Sequence, residues 1–166
     1  MQGLRISIAG LMALILACGL GLAALKSVSP LWSSVTFTVA LSALLVATLG
    51  AALRGRHRTF WLGFAVFGWG YALFSFAPGA ETQIRPYLLT TRMLDALVPV
   101  LGVAPSARVY HMNPKTGGVS GWTGFSNQGH YERTGHSLAI LLHGLAGAVL
   151  AVLWAAYEGR TDGRLG

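Results

Sequence analysis

Four long apolar runs, each free of Asp, Glu, Lys and Arg, divide the chain. They cover residues 6–25, 31–53, 59–77 and 137–157. A helix that crosses a bilayer needs about 20 mostly apolar residues, and the shortest of these runs has 19. The pattern therefore predicts an all-α membrane protein in which four transmembrane helices form a bundle.

A fifth apolar run, residues 87–103, is interrupted by Arg92, Asp95 and Pro99. Each charge at the centre of a bilayer costs about 2.5–3.5 kcal/mol on insertion scales. Arg92 and Asp95 are three residues apart, so a helix would make them neighbours and a candidate ion pair. We expect a short helix that lies at the membrane interface or packs on the bundle, with a full fifth span as the alternative.

Residues 104–136 have a different composition, rich in glycine with scattered aromatic residues, and show neither a helical nor a strand period. The sequence predicts an irregular loop here. Long loops of this kind are often functional, so this segment is a candidate surface for a protein partner. The whole chain, 1–166, is interpreted as a single membrane domain.

Composition and charge agree with this interpretation. Apolar residues make up 54% of the chain and charged residues 10%, which excludes intrinsic disorder and disfavours a soluble globule. Three arginines follow the second span, namely Arg54, Arg56 and Arg58. Basic loops favour the cytoplasmic side, so we expect a multi-pass inner-membrane protein with both termini in the cytoplasm and residues 78–136 on the other side.

The net charge of +7 needs no nucleic acid to explain it, because basic residues beside a bilayer are a common topology signal. We therefore expect the lipid bilayer as a partner and no nucleic acid. The arginine cluster is also able to bind an anionic lipid headgroup. The only cysteine, Cys18, excludes an internal disulfide. It loosely fits a lipidation box, but the apolar run continues past it, which favours an uncleaved first span.

Two histidines carry the clearest candidate chemistry. His136 and His143 are seven residues apart on one face of the last span, about 10.5 Å along its axis. An ionisable residue inside a membrane is a candidate functional site. His143 is expected either to hydrogen-bond across the bundle, to ligate haem or a metal, or to line a proton or substrate path. Its expected partners across the bundle are three hydroxyl residues spaced by four on the second span: Ser34, Thr38 and Ser42.

No catalytic motif is recognisable in the sequence. The glycine-rich segments have neither a phosphate-binding loop nor a dinucleotide fingerprint, and no His-Glu-x-x-His pair occurs. Spacing supports no Ser/His/Asp arrangement. An alternative is a metal site in the loop, formed by His111, His130, His136 and Glu132. We therefore predict no catalytic residues, no metal and no cofactor.

Several segments resemble a known group of proteins. They are Arg-Ile-Ser-Ile-Ala-Gly-Leu-Met (5–12), Ser-Pro-Leu-Trp (29–32), Phe-Trp-Leu-Gly-Phe (60–64), Phe-Gly-Trp-Gly-Tyr (67–71), Leu-Leu-Thr-Thr-Arg (88–92), Leu-Asp (94–95) and Gly-His-Ser-Leu (135–138). The pattern resembles the uncharacterised multi-copy small membrane protein family of planctomycete-type bacteria. The resemblance implies a membrane module and supplies no activity, so it assigns no role to any residue.

Three functions follow from these observations. The leading hypothesis is a non-enzymatic accessory, scaffold or sensor module that binds a membrane-protein partner or forms a homo-oligomer through faces of small residues. The second is a small oligomeric transporter or channel that uses His143 and the hydroxyl residues. The third is a redox protein that binds haem or a quinone at the two histidines and the aromatic third span.

Overall fold

The computed structural model describes residues 8–53, 55, 57–79, 83–103, 110–112, 119–122 and 127–162. These residues form a mainly helical fold, as predicted. The elements in chain order are α1 (Ile8–Ser27), α2 (Pro30–Ala52), α3 (Arg58–Phe76), a 3₁₀ turn (Arg85–Tyr87), α4 (Leu89–Leu101), β1 (Tyr110–Met112), β2 (Val119–Trp122) and α5 (Asn127–Asp162).

Three of these helices are long and apolar enough to cross a membrane. They are α2, α3 and the Gly129–Glu158 part of α5. The helix α1 has 20 residues and overlaps the first predicted span, but its crossing of the membrane stays a prediction. The helix α4 lies within the segment predicted as a short helix, and has 13 residues.

Local sequence explains where several helices begin and end. Ser29 precedes α2, and its hydroxyl accepts a hydrogen bond from the Trp32 amide at 3.2 Å, while Pro30 opens the helix where no amide hydrogen is needed. Gly102 ends α4 with φ of 65°, a left-handed conformation that glycine adopts without steric cost.

The helices α3 and α5 pack along each other through glycines. A Cβ atom added to Gly63 would meet the carbonyl oxygen of Gly147, and one added to Gly147 would lie 2.5 Å from the Cβ of Phe67. A Cβ on Gly144 would lie 2.8 Å from the ring of Phe64. Small residues allow such close backbone approach, which is the main source of helix association in lipid. We call these contacts of Gly63, Gly144 and Gly147 the glycine seam.

The helix α2 completes the centre of the bundle beside this seam. Leu44 is buried and lies 2.5 Å from the position that a Cβ of Gly68 would occupy. A buried stripe faces α3 and α5, and it consists of Ser33, Thr36, Ala40, Leu44 and Ala47.

The helix α4 closes one end of the bundle. Its Leu94 is buried with Leu25 of α1, Tyr131 of α5 and Val103. The Leu94 side chain also lies 2.5 Å from where a Cβ of Gly135 would stand. We call this region, where α1 ends and α2 begins, the α4 end of the bundle.

The prediction of an irregular loop over 104–136 was wrong in two places, since described residues of this segment form strands and a helix. The last helix begins at Asn127, ten residues before the predicted start at 137. The strands β1 and β2 form an antiparallel hairpin in which Tyr110 pairs with Trp122. The early part of α5 lacks an apolar period because it buries polar side chains against α2, α3 and α4, as the site shows.

Candidate functional site

A chain of hydrogen bonds surrounds His136 at the α4 end. This histidine is 0% exposed. Its Nδ1 lies 2.7 Å from the hydroxyl oxygen of Tyr71 on α3, and its Nε2 lies 3.3 Å from Oγ1 of Thr91 on α4. The imidazole therefore joins three helices through its two ring nitrogens.

The number of available protons sets the direction of this chain. Thr91 Oγ1 lies 2.6 Å from the carbonyl oxygen of Arg85 and donates its single proton there. It must then accept from Nε2–H of His136, which leaves Nδ1 as the acceptor for the Tyr71 hydroxyl. Tyr71 in turn accepts from the hydroxyl of Thr90. In this arrangement a neutral His136 ring is fully satisfied.

An ion pair and a further hydrogen bond fix the same region. Arg85 Nη2 in the 3₁₀ turn lies 3.2 Å from Oε2 of Glu132, one helical turn before His136. The hydroxyl of the buried Tyr131 donates to the Leu94 carbonyl oxygen at 2.9 Å. Charge-assisted hydrogen bonds, such as the one between Arg85 and Glu132, are roughly twice as strong as neutral ones. Together these contacts hold the turn and α4 against α5.

His143 lies two turns further along α5, in a different environment. Its ring stacks on the ring of Tyr71, with centroids 4.2 Å apart and an interplanar angle of 17°. It lines an open groove of about 310 Å³ between α3 and α5, together with Val66, Phe67, Gly70, Tyr71 and Phe74. Nδ1 lies 2.8 Å from the Ala139 carbonyl oxygen. Since a carbonyl only accepts, Nδ1 carries the proton, and Nε2 of the neutral ring is an acceptor.

The predicted hydrogen bond between His143 and Ser34, Thr38 or Ser42, which we call the hydroxyl ridge of α2, is wrong. Ser34, Thr38 and Ser42 are all exposed, and Thr38 donates to the carbonyl oxygen of Ser34 at 2.8 Å. The ridge points away from the bundle because the buried stripe occupies the opposite face of α2. A neighbouring serine does reach α5, since Ser33 Oγ lies 3.1 Å from Nδ1 of His130.

The predicted ion pair between Arg92 and Asp95 is also wrong. Both side chains are exposed, and no ion pair joins them in the part of the chain that the structure describes. Burial of Leu94 turns their face of α4 outward, where a surface pair gains little. Arg85, which is buried, instead forms an ion pair with the partly exposed Glu132.

The arginine cluster is described in part. Arg54 and Arg56 lie outside the described residues. Arg58 begins α3, is exposed, and its Nε donates to the carbonyl oxygen of Ala51 at 3.1 Å.

The aromatic side chains of α3 lie in two different environments. Tyr71 is buried, whereas Phe67 and Phe74 are exposed. Among the described residues, no group of three His, Cys, Asp or Glu side chains is placed to hold a metal ion.

Sequence reasoning found His136 but missed its partners. Tyr71 stood in an aromatic pattern, and Thr90 and Thr91 stood in a helix of unknown orientation, so no spacing linked them to a histidine 45 or 65 residues away. One feature of the sequence could have pointed to this region. Only 10% of the residues are charged, and Arg85 and Glu132 are two of them with opposite sign. Comparison with family models, with curated proteins and with solved structures found no match.

Proposed function

We propose that the chain is a multi-pass inner-membrane module with both termini in the cytoplasm. In this proposal α1 crosses the membrane in addition to α2, α3 and α5. Support for α1 comes from its uncharged sequence between Arg5 and Lys26 and from its packing on α5. A Cβ on Gly21 would lie 3.6 Å from Leu138, and Leu25 is buried with Leu94. The α4 end of the bundle is then the non-cytoplasmic membrane boundary.

In this arrangement α4 lies along the membrane surface. Its 13 residues extend about 20 Å, less than the roughly 30 Å of a hydrocarbon core. One face docks through Leu94 on the ends of the spans. The opposite face carries apolar side chains that are largely exposed: Leu89 at 72%, Met93 at 57% and Val100 at 77%. We call this face the α4 platform.

The function that we infer is a non-enzymatic scaffold or accessory role, in which the α4 platform binds a membrane-protein partner. The observation that carries this is the complete burial of His136, with both ring nitrogens bonded to hydroxyls of α3 and α4. These hydrogen bonds of His136 hold α4 in position on α3 and α5. An exposed apolar stripe on a rigidly held helix is suited to a protein surface at the membrane boundary.

The other two predicted functions receive less support from the geometry. A transport path inside one copy, lined by His143 and by Ser34, Thr38 and Ser42, would need these groups to face each other, but the three hydroxyl residues are exposed on the outer face of α2. Haem ligation by His136 would require one of its ring nitrogens to give up its hydrogen bond to Tyr71 or Thr91.

The proposal is tested by photo-crosslinking in intact cells, with a photoreactive amino acid in place of Met93. We expect one discrete adduct with another protein. The adduct should disappear when His136→Phe releases α4, although the chain stays in the membrane. Leu145, exposed on α5, is the control position and should give no such adduct. A lone monomer by native mass spectrometry in mild detergent, with no adduct from Met93, would overturn the proposal.

A further inference from the structure

We infer that this chain also assembles with copies of itself, head to tail, with the outward face of α2 from one copy seated in the groove beside His143 of the next. This contact lies in the middle of the membrane and is separate from the α4 platform. It depends on membrane insertion but not on the partner of α4.

The groove presents an acceptor that faces lipid. His143 donates from Nδ1 to the Ala139 carbonyl oxygen, and among the described residues Nε2 has no hydrogen-bond donor. The surrounding walls are Phe67, Gly70 and Phe74, which offer none. Hydrocarbon has no hydrogen-bond donors to satisfy a polar atom. The occupant of the groove must therefore carry a donor.

The outward face of α2 carries the complementary donor. Ser42 is exposed and makes no hydrogen bond with any residue that the structure describes. It stands about 160° from the buried Leu44 around the helix, so it points directly away from the bundle. A serine hydroxyl exposed to lipid and an imidazole acceptor exposed to lipid satisfy each other when they meet.

The two groups also lie at matching depth. Leu44 of α2 is adjacent to Gly68, and Gly68 is adjacent to Gly144, whose Cα would lie 3.7 Å from a Cβ at Gly68. Ser42 is two residues from Leu44 and His143 is one residue from Gly144, so their depths agree within about one helical turn of 5.4 Å. Copies related by an axis along the membrane normal keep their depth, and the two groups can therefore meet.

The geometry also sets the type of assembly. The groove is lined by α3 and α5 alone, whereas Ser42 faces outward from α2. Different surfaces are thus joined in each contact, which is a heterologous interface. Such interfaces close into rings or continue as filaments.

Cysteine crosslinking in membranes tests this arrangement while Ser42 and His143 stay intact. In a Cys18→Ser background, one chain carries Leu45→Cys and the other Val66→Cys. Both positions are exposed, at 52% and 59%, and Val66 lines the groove. A short bis-maleimide should join the two chains when they are expressed together, and neither chain should crosslink with itself.

The matched control pairs Val66→Cys with Val35→Cys. Val35 is also exposed on α2, but lies about 15 Å further along the axis than Leu45. It should give no product. An equal yield from the Val35 pair would indicate random collision and overturn the proposal, as would the absence of any product from the Leu45 pair.

Two substitutions test the hydrogen bond itself. Ser42→Ala and His143→Phe should each weaken association roughly three- to tenfold, as expected for one interhelical hydrogen bond in a membrane. Ser42→Thr, which keeps the hydroxyl, should retain the crosslink. Unchanged crosslinking in Ser42→Ala would overturn the assignment. If copies do not crosslink but Met93 still captures its partner, this inference fails and the proposed function stands.

Discussion

The α4 end and the glycine seam stabilise the same bundle by different means. At the α4 end, hydrogen bonds from His136 and the pair of Arg85 with Glu132 join α3, α4 and α5. At the seam, Gly63 and Gly147 allow α3 and α5 to touch through their backbones. Polar side chains are used where a short helix must be attached, and small residues are used where long helices lie side by side.

The two histidines of α5 show this difference within one helix. His136 has both ring nitrogens bonded inside the protein, whereas His143 bonds one nitrogen to its own helix and faces a groove with the other. The two histidines therefore share one face of α5 but have different surroundings. Tyr71 lies between them, with its hydroxyl on His136 and its ring on His143.

The glycine seam should respond most strongly to mutation. In Gly63→Ala the new Cβ would meet the Gly147 carbonyl oxygen and would lie 2.7 Å from the Cβ of Ala151. The backbone of α5 would have to move to make room for this Cβ atom. We therefore expect a loss of about 3 kcal/mol in the free energy of unfolding. The measurement is reversible unfolding in detergent micelles.

The matched control is Gly70→Ala on the same helix, seven residues later. A Cβ there meets nothing within 4 Å. Alanine should then stabilise the helix slightly, by about 0.5–1 kcal/mol, through its higher helix propensity. If both substitutions changed the free energy of unfolding in the same direction, close packing at Gly63 would not be what distinguishes the seam.

The second largest effect should come from His136→Phe, which breaks the α4 end and spares the seam. The buried hydroxyl of Tyr71 loses its acceptor and Thr91 loses a donor, at a cost of about 2–3 kcal/mol. Hydrogen exchange should become faster in α4 while α3 and α5 stay protected. Equal loss of protection in all three helices would show that the two regions are not separable.

Tyr71→Phe should separate the two histidines with a smaller effect, about 1–2 kcal/mol. The hydroxyl that bridges Thr90 and His136 is lost, but the ring that stacks on His143 remains. Nitrogen-15 spectra of the imidazoles should therefore change for His136 and stay nearly constant for His143. A large change at His143 would contradict the assignment of ring and hydroxyl to different regions.

Sequence predicted the long helices well because length and apolar composition decide them. The runs 31–53 and 59–77 differ from α2 and α3 by one residue at each end. Ser29 and Pro30 set the start of α2, and Pro78 follows the end of α3. Local signals of this kind need no knowledge of the third dimension.

The site could not be predicted because it depends on how helices are rotated about their axes. A buried stripe of α2 would show the spacing that is seen for Ser34, Thr38 and Ser42. The residues that are in fact buried begin one position earlier, at Ser33. In a helix that is apolar all round, hydrophobic periodicity does not reveal the inward face. The start of α5 was missed for a related reason, since Tyr131, Thr134 and His136 are buried by contacts from distant segments.

The smallest predicted effect concerns the charges of α4, where local spacing was misleading. Arg92→Gln and Asp95→Asn should each leave the free energy of unfolding unchanged within error, because both side chains are exposed and unpaired with each other. Glu132→Gln is the matched control and should destabilise the protein by about 1 kcal/mol, because Arg85 is 8% exposed and would lose a charged acceptor. Since α4 is held from the inside, its outer charges should contribute little to the stability of the bundle. A measurable loss of stability in Arg92→Gln would mean that the outer face of α4 also contributes to docking.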